Sequence, residues 1–331
     1  MQLILGFGDS WTYMHIADAI RTWSLSGLQV KQFWGLSYAI AGLSKLTGLG
    51  SLPALLILSA GPSLAAVILA GRLWDARIAI LFAILNFDWL QRSFLGGSEP
   101  LFVFLLFTAF LAMRRQRWKL AALLASLATI TRPLGVLLLI GIGIDLLLRR
   151  QWRQLFYAVA IAAVIAVLYV TPLRVYLHDP LATVHSYDVL KPDSPYPPLF
   201  GIPFRAIIVG TLRIPSPITS LTLNFGWIFL ILVGNIAMLA SPEFRAYARS
   251  HRAEAIFIFL YSLSLYCYNL PSYARSNFAR FAIPILPFVF LALQLALPRL
   301  FMKFTDRRLL WLLTVVAAVL AALSAIGIHN L

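Results

Sequence analysis

Two acids and three arginines carry the chemistry this chain can do. Asp9 lies in the opening turn "FGDSW" (7–11) and Glu99 in "QRSFLGGSEP" (91–100). Arg132 follows in "TRPL", and Arg275 and Arg280 in "PSYARSNFARF" (271–281). These types suit the displacement of a lipid phosphate. A phosphate leaving group needs cations to hold its developing charge, and arginine offers a fixed fork of donors. The attacking hydroxyl needs a carboxylate nearby as general base. A divalent cation, magnesium or manganese, could assist by bridging carboxylates and phosphate oxygens. Each residue also has a plainer role. Asp9 and Ser10 are good N-caps for a helix starting near Trp11. Glu99 precedes Pro100 at a helix start, where an acid suits the dipole. Arg275 and Arg280 could meet lipid headgroups, and Asp88 could be ordinary interface polarity. His178 and His185 are not expected to form a zinc site. No Gly-rich phosphate loop, Ser-His-Asp arrangement or cysteine cluster is visible in the sequence.

The elements that must position these residues are membrane segments. Of 331 residues, 61% are hydrophobic and 12% charged, and mean hydropathy is +0.85. A soluble domain would carry about twice that share of charge. The net charge of +15 reads as topology rather than nucleic-acid binding, because the basic residues gather at segment ends. Ten apolar blocks are expected to be helices: 52–71, 76–90, 100–113, 119–131, 134–148, 155–172, 222–240, 254–270, 281–298 and 309–328. Five short loops between them hold sixteen of the 27 Lys and Arg residues, and the positive-inside rule puts those loops in the cytoplasm. The chain then reads as one all-α polytopic membrane domain, residues 1–331. It comprises an outer loop with two interfacial helices (1–50), six membrane segments (52–172), an outer Pro-rich loop (173–221) and four further segments (222–328). All five candidate residues fall toward the outer face.

Three stretches refine this expectation. The arms of 119–148 reach only about 20 Å, so Arg132 at their turn would sit below the outer surface. An arginine there needs a water-filled cavity or an anionic partner; two tilted helices with a snorkelling arginine are the alternative. In 12–25, Tyr13, Ile16, Ala17, Ile20 and Trp23 recur at helical spacing, which suits a helix lying in the interface plane. The segment 173–221 contains eight prolines and reads as a structured loop over a site. The lone Cys267 excludes an internal disulfide.

The stretch "GGSEPLFVFLLFTAFLAMRRQRWKLAALLASLATITRPLGVLLLI" (96–140) resembles the core of GT-C-fold membrane glycosyltransferases. "ARFAIPILPFVFLAL" (279–293) is similar to their late arginine-aromatic-x-x-proline helix, and "FGDSWTYMHIAD" to the acidic start of their first outer loop. "HDPLATVHSY" (178–187) and "PLFGIPFRAI" (198–207) are similar to the branch of the glycosylphosphatidylinositol mannosyltransferase. The resemblance implies inverting transfer of a mannose-like hexose. The donor would be a polyprenyl-phosphate sugar, and the acceptor a glycan, lipid or protein hydroxyl. Asp9 would be the catalytic base or a metal partner. Arg280, with Arg132, Arg275 and Glu99, would bind substrate. Many members carry two acids one residue apart in the first loop, whereas Asp9 is followed by Ser10 and Trp11, which leaves metal binding open. Members also run a transmembrane helix into this loop, and the expectation is that the natural reading frame begins upstream of Met1.

The expected location is a bacterial inner membrane, or the endoplasmic reticulum in a eukaryote. Two other readings use the same residues: a ligase or polymerase of lipid-linked glycans, and a non-enzymatic lipid or solute carrier with an outer anion site.

Overall fold

The computed structural model describes residues 9–25, 28, 32–186, 200–212, 226–269, 277–306 and 308–315. Arg275 lies outside the described residues, as do Asp188 and Asp193 and much of the Pro-rich loop. Secondary structure among the described residues is helical, apart from one isolated bridge between Phe200 and Tyr268. The helices are α1 Ser10–Thr22, α2 Gly35–Thr47, α3 Ser51–Leu73, α4 Ala76–Leu85, α5 Phe87–Leu95, α6 Glu99–Arg114, α7 Trp118–Thr131, α8 Val136–Leu148 and α9 Trp152–Leu177. After them come α10 Ala182–His185, α11 Arg205–Leu212, α12 Gly226–Ala240, α13 Pro242–Ser250, α14 Arg252–Cys267, α15 Phe278–Ala282, α16 Leu286–Ala296 and α17 Pro298–Phe304.

Three runs are long and apolar enough to cross a membrane: α3, α9 and 278–296. The bent pairs α4–α5 and α12–α13 pass the same test together, which brings the count to five. Helices α7 and α8 are apolar but shorter than the roughly 20 residues a bilayer core requires. Along α9, Phe156, Val159, Val164, Val167 and Leu168 are all exposed. A continuous apolar surface of this kind belongs against lipid rather than water. The chain is a membrane-embedded helical protein.

Polar side chains break the apolar runs where the bundle turns. The expected single block 76–90 is two helices, bent by 77°. The cause is Asn86: its Oδ1 accepts from Trp89 N at 3.0 Å and so starts a new helix, while its Nδ2 donates to the Ala279 carbonyl at 3.0 Å. Ser241 caps α13 in the same manner, accepting from Phe244 N at 3.1 Å, and the bend there is 81°. Arg132 precedes Pro133 and adopts an extended backbone (φ −147°, ψ 132°), as the clash with a following proline ring demands. Helix α7 therefore ends at Thr131.

The core runs through α3, α4, α6, α14 and α16. It is an aromatic stack in which Trp74 meets Phe107 at 5.1 Å and Phe288 at 4.8 Å, and Phe110 meets Phe257 at 5.7 Å. Helix α6 is central to it: α3 and α7 flank it, and the 3-10 turn Ile283–Ile285 packs on it.

The N-terminal helices α1 and α2 pack on each other and on α3. The apolar face of α1 is buried against protein, with Tyr13, Ile16 and Ala17 in contact with α2, α3 or the end of α9. Trp23 leaves that face: it is the left-handed C-cap residue of α1 and is exposed. The helical stripe was legible, but it is spent on neighbouring helices.

Candidate functional site

The N-terminal end of α6 collects the charged residues. Asp9 occupies the N-cap position of α1, yet its carboxylate makes no cap hydrogen bond. Ser10 does not cap either, because its hydroxyl donates to the Leu95 carbonyl at 3.2 Å. The expected capping roles of both residues are corrected accordingly. A cap is worth about 1 kcal/mol, and this helix forgoes it. Instead, Asp9 Oδ2 accepts from Arg280 Nη2 and Oδ1 from Gln32 Nε2, both at 3.1 Å.

Arg280 reaches a second acid. Its Nε donates to Glu99 Oε1, and Arg132 Nη1 donates to that same oxygen. The Glu99 side chain is 3% exposed, and those of Arg132 and Arg280 are 11% and 12% exposed. One buried carboxylate thus holds two guanidiniums together. The expectation of an anionic partner for Arg132 is met by Glu99, not by snorkelling. The Arg132 guanidinium also lies over the Phe281 and Phe102 rings, at 5.1 and 5.9 Å. Its Nη1 donates to Ser98 Oγ at 3.3 Å, which also accepts from Tyr13 OH at 3.1 Å. That last bond ties α1 to the start of α6.

The turn Gly96–Gly97 makes the approach possible. Gly96 has φ +97°, a conformation that glycine tolerates and side chains resist. A Cβ on Gly97 would fall 2.7 Å from Arg92 Cδ and 2.8 Å from Glu99 Oε2. Bare backbone here lets Arg92 and Glu99 pack on the turn. Glu99 Oε2 is buried with no hydrogen-bond partner.

Asp9 is the accessible acid, with its side chain 34% exposed. Burial pushes its carboxyl up, but the charge and hydrogen bond of Arg280 and the Gln32 amide outweigh that and hold it below the usual aspartate value. It is ionised at neutral pH.

Four of the five expected residues therefore meet: Asp9, Glu99, Arg132 and Arg280. Arg92, Gln32, Ser98 and Gly97 escaped the sequence reading. Arg92 had a usable signal, since it is an arginine in the short polar run Gln91–Ser93 just before "GGSEP". Gln32 had none, because an isolated glutamine carries no spacing pattern. Asp88, half-buried on α5, stands within electrostatic reach of Arg92 and Arg280.

Both site acids are committed to guanidiniums, a donor set made for neutralising anions rather than holding a divalent cation. Among the described residues no group of three or more His, Cys, Asp or Glu side chains converges as a metal site. Among the described residues, Asp9 and Glu99 each face a guanidinium, so neither offers a divalent cation a carboxylate without a cation already beside it. His185 Nδ1 pairs with Asp179 Oδ2 at 2.8 Å, away from this cluster.

Fold and site together define a helical membrane protein with a buried arginine–carboxylate cluster at one end of its central helix. Comparison with protein-family models, curated proteins and solved structures finds no match.

Proposed function

We propose that the chain is a membrane glycosyltransferase of the GT-C type, inverting, with a polyprenyl-phosphate sugar as donor and a hydroxyl as acceptor. The observation that carries this reading is the sharing of Arg280 between Asp9, which is partly exposed, and Glu99, which is buried. Glu99 fixes Arg132 and Arg280 side by side at a spacing one phosphate can bridge. Asp9 completes the set as the base.

The reaction follows from what each group can do. The donor phosphate competes with Asp9 for the Arg280 guanidinium. Once that guanidinium turns to phosphate, the Asp9 carboxyl loses the charge that depresses it and becomes more basic. The acceptor hydroxyl then gives its proton to Asp9. Its oxygen bonds to the anomeric carbon from the face opposite the phosphate, and the bond from that carbon to the phosphate oxygen breaks. The electron pair leaves with polyprenyl phosphate, whose charge Arg280 and Arg132 hold. Arg92 lies close enough to add to that field.

Sidedness rests on the basic loops, which put this end of α6 on the extracytoplasmic side. The reading takes the shorter apolar helices as part of a ten-segment bundle with 1–331 as one membrane domain. It places the chain in a bacterial inner membrane, or the endoplasmic reticulum in a eukaryote. A mannose-like hexose is the sugar the resemblance favours.

The test uses membranes and labelled polyprenyl-phosphate sugar. Asp9→Asn keeps the side-chain shape and should cut transfer about a hundredfold or more. Full transfer in that variant removes Asp9 as base. Movement of intact donor across the membrane without transfer by the wild type supports the carrier reading instead.

A further inference from the structure

Asp9 stands at a border. On the Arg280 side the neighbours are cations. On the Gln32 side they are neutral and aromatic, and their polar atoms are unused. Gln32 gives its amide to Asp9, but its own Oε1 is buried without a partner. Trp34 is 0% exposed, and its Nε1 has no partner either. The Tyr38 hydroxyl is buried and likewise unpartnered. A buried polar group left unsatisfied costs about 1–3 kcal/mol, so three within seven residues is a concentration that needs a reason.

The rings around them form one cluster between α1, α2 and the last turns of α9. Trp34 and Tyr38 meet edge-on at 6.0 Å, and Phe33 stacks on Tyr169 at 6.0 Å with planes 7° apart. Among the described residues of this cluster, flat apolar faces interleave with neutral donors and acceptors, a lining that matches a hydroxyl-rich ring. It does not match an anion.

We infer that Gln32, Trp34, Tyr38 and the Phe33–Tyr169 pair form the acceptor subsite, and that the acceptor presents a glycosyl group there. The inference rests on the transferase reading and names the acceptor's chemical class. The glycosyl hydroxyls take up Gln32 Oε1, Trp34 Nε1 and Tyr38 OH, and a neighbouring hydroxyl is delivered to Asp9 Oδ1. Phosphate and sugar would thus bind on opposite sides of one carboxylate, and the two halves are separable by mutation.

The experiment titrates the purified full chain in detergent with two probes, methyl α-mannopyranoside and farnesyl phosphate. Tyr38→Phe and Trp34→Phe each delete a polar atom and keep a ring. Each should weaken glycoside binding about fivefold, the worth of one hydrogen bond. Farnesyl phosphate binding should be unchanged, and the ligand-free melting temperature equal or higher, because an unsatisfied group has gone. Unchanged glycoside affinity with a lower melting temperature would mean that these atoms hold structural water, and overturns the inference. Binding of farnesyl phosphate alone by the wild type overturns it too, while leaving the donor site standing. Binding of the glycoside alone keeps the subsite and overturns the donor reading.

Discussion

The two ends of α6 carry the two main ion-pair clusters, roughly 22 Å apart at 1.5 Å per residue, and they are built differently. At the C-terminal end, Arg114 pairs with Glu254 in a bidentate fork of 2.9 and 2.8 Å. The rest of that guanidinium goes to Tyr247 OH at 2.8 Å and to the Leu73 carbonyl, and Trp74 Nε1 donates to the same tyrosine at 3.1 Å. Every partner there is satisfied by protein. At the N-terminal end, one carboxylate serves two guanidiniums, one of which also serves a partly exposed second acid. A closed pair holds helices together. An arrangement in which cations outnumber the buried acid and an exchangeable acid stands by is suited to receiving an anion.

Removing each buried acid should separate the two ends most sharply. Glu99→Gln leaves Arg132 and Arg280 together with the partly exposed Asp9 as their one remaining acid partner, strips Arg132 of its own, and should cost about 3–5 kcal/mol in unfolding measurements. Glu254→Gln leaves one arginine that still has Tyr247 and Leu73 as acceptors, and should cost about 1–3 kcal/mol. Equal costs would erase the distinction.

Glycines offer a smaller version of the same contrast. A Cβ on Gly97 meets Arg92 and Glu99, whereas a Cβ on Gly141 falls 2.6 Å from the Ala253 carbonyl, at the start of α14. Both alanine variants should lose about 1–3 kcal/mol from overpacking. Gly97→Ala alone should also weaken farnesyl phosphate binding, measured by titration of folded protein.

The smallest effect is on pH dependence. Asp9 has its carboxyl depressed in the folded protein, so its contribution to stability is complete above the ordinary aspartate value of about 4. It is lost as pH falls below that value through the folded one. Asp9→Asn should flatten the acid limb of melting temperature against pH over that range and leave the neutral region alone. An identical acid limb in both proteins would mean that Asp9 is not tied to Arg280 in solution.

Helix positions were readable because long apolar blocks leave little choice of structure. The convergence of Asp9, Glu99, Arg132 and Arg280 was readable because apolar blocks and basic loops alternate along the chain, a pattern that assigns residues to one end of a bundle without any knowledge of packing. Packing itself was not legible. Asn86 looked like one polar residue in an apolar run, yet its capping bond splits the block. Arg114 looked like a topology signal in "RRQRWK", yet its fork is closed on Glu254, 140 residues away. The stripe on α1 looked destined for lipid, yet α2, α3 and α9 cover it. In each case the sequence carries the local preference, and a distant partner decides how it is used.

The most direct measurement is the affinity of the purified protein for farnesyl phosphate with one arginine shortened at each end of α6. Lysine keeps the charge and loses the fork. Arg280→Lys should weaken binding about tenfold, and Arg114→Lys should leave it unchanged, once both are shown to be folded. Equal losses, or a loss confined to Arg114→Lys, would contradict the assignment of the anion site to the Asp9–Glu99 end.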